Sequence, residues 1–175
     1  MNRPLALLVA IVFSCPACLP DTFRGSDVVL EVGTQAGPDI TNRSTEHYEL
    51  FATVNQGVVS IGKFRVDAEL VAWEHPGTQK IGVANRQPAG GLPQSGIRFT
   101  TDVNLADAEN VFLTIEKNGE TDLSPSEVVI GRGTLVDGRR SVLVADLEGE
   151  VPVLGATVPL VDSRVAVILG EGEVD

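Results

Sequence analysis

Residues 46–66 read EHYELFATVNQGVVSIGKFRV, two runs rich in β-branched and aromatic residues joined by Asn55-Gln56. A very short polar connection with glycine at its exit is typical of a β-hairpin. Successive side chains of a strand point to opposite faces. The first strand is therefore predicted to direct one set of residues to the core: Tyr48, Leu50, Ala52 and Val54. The second is predicted to place small Ser60 and Gly62 on the core face with Phe64 and Val66.

The rest of the chain repeats this pattern of short β-rich runs bounded by turn residues. Further strands are predicted at 28–32, 80–84, 96–101, 110–117, 128–130, 141–147 and 165–169. Residues 68–73 either continue the hairpin strand or pair elsewhere. Residues 102–109 are predicted to form one helical turn, capped by Thr101 or Asp102. The predicted fold class is all-β, an antiparallel, immunoglobulin-like β-sandwich with at most one short helical turn.

Residues 110–117 (NVFLTIEK) form the clearest single strand of the chain. Val111, Leu113 and Ile115 share one face at strand spacing. We therefore expect these three residues to lie in the core and to have a structural rather than a catalytic role.

The first twenty residues have the order of a secretory signal peptide. A short basic start is followed by an apolar run at 5–13, which is too short to span a bilayer, and then by small residues. The chain is expected to be exported to the periplasm or cell surface. We divide it into a signal peptide at 1–14, a tether at 15–26 and a single β-sandwich domain at 27–175.

Residues 12–15 (VFSC) resemble the lipobox of bacterial lipoproteins, in which the cysteine becomes the lipid-carrying N-terminus. This resemblance implies lipidation of Cys15 and attachment to a bacterial membrane through the lipid. The alternative is ordinary cleavage, for example after Ala17. Cys15 and Cys18 are the only cysteines, and a single CxxC beside a signal sequence is weak evidence for zinc or redox chemistry.

The charge of the chain limits its partners. Lys and Arg total 13 against 24 Asp and Glu, which gives a formal net charge of −11. An acidic surface repels phosphate backbones, so nucleic acid is not an expected partner. The charge is explained by solubility or by cation binding on an acid-rich surface.

Candidate catalytic and metal-binding residues are few. His47 and His75 are the only histidines, and neither has a partner at a metal-ligand spacing. His47 is expected to face solvent, opposite to Tyr48, and His75 is expected in a turn. No GxSxG motif is present, and Ser60 is predicted to lie in the core-facing row. We therefore assign no catalytic, cofactor-binding or metal-binding residues and expect a protein that is not an enzyme.

Acidic residues around Asn118-Gly119 form a second candidate site. Glu116, Glu120 and Asp122 lack the alternation of a calcium loop and are interpreted as a charged hairpin tip. The glycine-rich stretch 131–133 has no following helix, so it is not a phosphate loop. Trp73, the sole tryptophan, is either a ligand-stacking ring or a core or rim residue.

A family resemblance appears between residues 48 and 133. The segments that carry it are YELF at 48–51, GKFRV at 62–66, TIEK at 114–117, GETDLSPS at 119–126 and VIG at 129–131. This layout resembles the extracytoplasmic C-terminal domain of anti-sigma-K factors. That family has a YELW-like strand, a GxFxV strand and a TIEPxGxxxxPS segment. Here Phe51 stands where Trp is common, and Lys117 stands where Pro is usual.

The resemblance covers about half of the chain and implies a β-domain with a sensing or protein-interaction role in the cell envelope. In the family, sigma binding belongs to a cytoplasmic segment joined by a membrane helix. The export segment here begins at Met1, so we expect no direct inhibition of transcription and a partner among envelope proteins. A surface carbohydrate-binding or adhesion module is the alternative, and a hydrolase is the third hypothesis. Oligomeric state is left open.

Lipidation of Cys15 can be tested directly. Two or more acyl chains on one N-terminus hold a domain stably at a membrane, so the mature protein is expected in the detergent-soluble membrane fraction. Mass spectrometry of its N-terminal peptide should show a diacylated or triacylated Cys15. An unmodified N-terminus at residue 18 or later would show that ordinary cleavage occurs instead.

Overall fold

The computed structural model describes residues 25–33, 45–67, 71–83, 96–119, 124–138, 141–153 and 156–170. Several predicted features lie outside these ranges: the signal peptide, Cys15 and the lipobox, most of the tether, Glu120 and Asp122. The described part of the chain contains no helix with the length and apolar character that crossing a bilayer requires.

Within these ranges the chain is entirely β, and every strand pairing is antiparallel. This confirms the predicted all-β, antiparallel class. The strands are β1 (Ser26–Glu31), β2 (Glu46–Val54), β3 (Gly57–Val66), β4 (Val71–Glu74), β5 (Lys80–Val83), β6 (Ile97–Thr101), β7 (Ala108–Lys117), β8 (Val129–Thr134), β9 (Val136–Asp137), β10 (Val142–Asp146), β11 (Glu150–Val153), β12 (Ala156–Pro159) and β13 (Arg164–Leu169).

Eleven of the strands form one continuous sheet in the order β8-β7-β2-β3-β4-β5-β6-β1-β13-β10-β9, and β11 pairs with β12 separately. β8 and β9 lie at opposite ends of this order, yet only Leu135 separates them in sequence. The two ends of the sheet are therefore joined by a single stretch of chain. Arg132 and Glu148 reinforce the junction by exchanging two backbone hydrogen bonds of 2.8 Å.

Because the sheet closes, the core lies inside it. Opposite walls of this one sheet pack against each other across the core, as the two layers of a sandwich would. One cluster of buried apolar side chains draws on strands from around the whole sheet, including Val28, Leu50, Phe64, Val111 and Val167. Its members on β2 and β7 include the predicted rows Tyr48, Leu50 and Ala52, and Val111, Leu113 and Ile115. The predicted inner faces of these two strands are confirmed.

The predicted inner face of β3 is wrong in its first half. Leu50 pairs with Gly62 but Phe51 pairs with Ser60, so Ile61 is an extra residue on β3. Such a β-bulge reverses the alternation of faces on either side of it. Ile61 is consequently buried in the core, and half-exposed Ser60 points outward with Phe51.

The predicted helical turn at 102–109 does not form. Thr101 Oγ1 accepts a hydrogen bond from the N–H of Val103 at 3.2 Å, and Asn104 Oδ1 accepts one from Ala106 at 3.0 Å. Such local side-chain acceptors compete with helical hydrogen bonding. Leu105, which is fully buried, anchors the loop in the core.

The glycine-rich stretch 131–133 has a packing role in β8. A Cβ atom at Gly133 would lie 2.5 Å from the backbone oxygen of Asp146, and one at Gly131 would lie 2.8 Å from the Leu160 side chain. Glycine therefore lets β8 approach the chain that follows β10, which is where the sheet closes.

The core assignment of β7 can be tested with Leu113, whose side chain is 2% exposed. Leu113→Ala should lower the free energy of unfolding by about 2 to 5 kcal/mol, because it removes buried methyl groups and leaves a cavity. Val58→Ala, at a site that is 43% exposed, is the matched control and should cost less than about 0.5 kcal/mol. Chemical denaturation measures both, and equal losses would contradict the assignment.

Candidate functional site

The outer face of β2 is buried and polar. His47 and Glu49 are 6% and 4% exposed, and their partners across the sheet on β7, Glu116 and Thr114, are 5% and 0% exposed. Together with Lys63 and His75 these four residues form what we call the polar cluster. The prediction that His47 lies on the face opposite to Tyr48 is confirmed, but the prediction that it faces solvent is wrong.

His47 is held on three sides. Its Nδ1 lies 3.0 Å from Oδ1 of Asn118, and its ring stacks on that of His75 with centroids 4.3 Å apart. Its Nε2 lies 3.6 Å from Oε2 of Glu49 and makes no hydrogen bond to any described residue.

The carboxylates of the polar cluster already have partners. Glu49 Oε2 lies 3.2 Å from Lys63 Nζ, and the Lys63 side chain is 35% exposed. Glu116 Oε1 accepts a 2.9 Å hydrogen bond from the backbone N–H of Ser126 and a second one from Thr114 Oγ1. Buried charged groups require such partners. These contacts attach the segment after β7 to the sheet and give Glu116 a structural role.

Burial lowers the pKa of the His75 imidazole from 6.5 to about 4, and the nearby positive charges of His47, Arg65 and Lys63 act in the same direction. The ring is half-buried. At neutral pH His75 is therefore uncharged, which allows it to stack on His47.

The polar cluster brings together histidines and carboxylates that are far apart in sequence. A pocket that gathered such groups would favour the hydrolase hypothesis. Two grooves of the described surface, next to β8 and next to β9, are lined by other residues. Within that part, no group of three or more His, Cys, Asp or Glu side chains is arranged to hold a metal ion.

Sequence reasoning missed the polar cluster. An unbroken two-residue hairpin would place Glu49 across from Gly62, and the bulge at Ile61 is what brings Lys63 opposite Glu49. No local sequence pattern predicts that His75 lies beside His47, because this contact depends on β4 turning back along β3.

Trp73 lies at the rim of the sheet and is 36% exposed, the one aromatic residue among the exposed large apolar side chains of the described ranges. Its indole N–H donates a 2.8 Å hydrogen bond to Oδ2 of Asp67. One tethered ring offers a small stacking surface.

The outer side of β9, β10 and β13 forms a second candidate surface. It is apolar, whereas the solvent-facing side of a strand is usually polar. Direct register pairs place five residues on the outer side of three adjacent strands: Val136, Val142, Val144, Ala166 and Ile168. We call this set the apolar outer face. Val136 and Ile168 are 56% and 40% exposed, whereas the alternate residues Leu143, Val165 and Val167 fill the core.

The apolar outer face continues into a groove of about 1360 Å³. Val136, Val144 and Arg164 line one side of this groove, and Phe112 and Arg132 also contribute to it. Phe112 is itself supported from β2 by a stacked Phe51, with ring centroids 5.4 Å apart.

Comparisons of the chain with protein-family models, with curated proteins and with solved structures found no match.

The electrostatics of His75 predict how stability depends on pH. Because the folded-state pKa is about 4 and the unfolded value is 6.5, the unfolded chain takes up the proton first. The contribution of His75 to stability is complete above about pH 6.5 and is lost as the pH falls toward 4.

Two measurements check this prediction. Proton NMR should show one histidine ring titrating near pH 4, and this signal should be absent from His75→Phe. Denaturation between pH 7 and about 4 should show a steeper loss of stability for the wild type than for the variant. A His75 midpoint near 6.5 would contradict the prediction.

Proposed function

We propose that this chain is a non-enzymatic, exported protein of the cell envelope that binds a partner protein through its apolar outer face. The observation that carries the proposal is that β10 and β13 carry aliphatic residues on both sides of the sheet and that exposed Val136 on β9 extends their outer side. Contiguous exposed apolar patches on soluble domains mark interaction sites.

The expected partner is a protein with a basic patch. Three carboxylates, Asp27, Glu31 and Asp146, lie in the strand positions beside the apolar outer face, and Arg164 lies among them, 3.4 Å from Glu31. The whole chain carries a net charge of −11. Complementary charge steers association and weakens with salt.

The proposed setting is the envelope, with a lipid anchor at Cys15, in keeping with the resemblance to the outer domain of anti-sigma-K factors. That resemblance is consistent with an all-β domain, and several of its matched segments form strands: 48–51 in β2, 62–66 in β3 and 114–117 in β7. The engagement of His47, Glu49 and Glu116 in structural contacts also supports a binding role.

The alternative, a carbohydrate-binding or adhesion module, would use exposed aromatic rings. Its support within the described ranges is Trp73, whereas Tyr48, Phe51 and Phe64 are buried. Binding of purified envelope polysaccharide that Trp73→Ala abolishes would favour this alternative.

Two exposed valines allow a matched test of the protein-binding proposal. Val136 lies in the apolar outer face, whereas Val58, 43% exposed, begins β3 on another part of the surface. A photo-crosslinking residue at either position, in protein anchored in its native membranes, should capture a partner only from position 136. The partner, once identified and purified, provides the ligand for affinity measurements.

Val136→Asp should weaken that affinity by about tenfold or more, because a charge would be buried at the contact, whereas Val58→Asp should leave it nearly unchanged. Raising the salt concentration should weaken wild-type binding. Equal effects of the two variants would show that the apolar outer face is not the binding surface.

A further inference from the structure

The turn after β4 folds back over β3 so that His75 reaches His47 on β2. Its backbone attachment consists of a 3.0 Å hydrogen bond from His75 N to the carbonyl of Lys63, and the turn itself closes with a 2.9 Å bond from Glu74 N to Gln79 O. The stacked rings are inclined by 25°. His47 and its neighbour Glu49 are almost completely buried, and the His75 ring covers one side of the His47 ring.

Few groups can compensate a positive charge on His75. The charged or titratable described residues that face the two rings are His47 and Glu49 on β2, Lys63 and Arg65 on β3, and Glu116 on β7. Glu74, which precedes His75, pairs with core-facing Phe64. Glu49 is paired with Lys63, and Glu116 accepts hydrogen bonds from Thr114 and Ser126. Arg65 adds an Nε atom that is buried without a hydrogen-bond partner in the described residues.

We propose that the His75 turn is an acid-operated latch. With a neutral imidazole it lies closed on His47. With a protonated imidazole it lifts from β3, which exposes His47 and Glu49 while the rest of the sheet stays folded.

Protonation opens the latch because a proton binds the open form more tightly than the closed form. A solvated His75 has an ordinary pKa of 6.5, whereas the closed turn lowers this pKa to about 4. A ligand shifts a two-state equilibrium toward the state that it binds better. Opening should therefore increase as the pH falls from about 6.5 to 4.

Native-state amide hydrogen exchange tests the latch at individual backbone groups. Between pH 7 and about 4, the protection factor of the His75 amide, which donates to Lys63 on β3, should fall by about tenfold or more in the wild-type chain, after correction for the intrinsic exchange rate. The amides of β1 and β13 should keep their protection. Fluorescence of Trp73, two residues from His75 and the sole tryptophan, should change over the same range.

Two variants separate the latch from general acid effects. His75→Phe keeps an aromatic ring for the stack but takes up no proton, so protection of residue 75 should change less than about twofold over this pH range. Arg65→Gln removes one repelling charge and should give a loss intermediate between the wild type and His75→Phe.

Each outcome decides the proposal. An equal fall in His75→Phe would assign the opening to carboxylate protonation and overturn the latch. Constant protection in the wild type would show that the turn stays closed. A simultaneous loss of protection in β1 and β13 would show acid unfolding of the whole sheet instead of local opening.

Discussion

The fold depends on closing a single antiparallel sheet. A sheet with one apolar face and no second layer can remove that face from water only by curling until its own walls meet. The closing element is the stretch from β8 to β9, which pairs with β7 at one end of the sheet and with β10 at the other. Glycines at 131 and 133 allow the close backbone approach there, and Leu135 enters the core between the two short pairings.

Closure also explains why the two sides of β2 differ chemically. Its inner side, with Leu50 and Ala52, is apolar and completely buried. Its outer side is covered by neighbouring turns, and there burial is compatible with polar groups because each carboxylate has a partner. The polar cluster therefore attaches two segments to the sheet, the turn after β4 and the segment after β7. In our proposal the stack of His75 on His47 makes the first of these attachments dependent on pH.

On the opposite wall of the sheet, the outer side is partly exposed in the described part of the chain. There β10 and β13 carry aliphatic residues on both sides, and Ile168 and Val136 on neighbouring β9 are exposed. Closure of the sheet does not require an apolar outer side, and we propose contact with a partner protein as the reason for it. The acidic residues at its margin and the net charge of the chain support the proposal of a basic partner.

The amino-acid sequence by itself determined the β class, the hairpin of β2 and β3 with its bounds, and the inward rows of β2 and β7, because strand alternation and turn chemistry are local. It could not place Ile61 in the core, since a bulge depends on the pairing of two strands, and it missed the short strands β9, β11 and β12. Only the tertiary structure brought His75 onto His47, because residues 28 positions apart meet only when β4 turns back along β3. It likewise decided which apolar strand residues face solvent, because aliphatic side chains on both sides of a strand carry no periodicity that distinguishes core from surface.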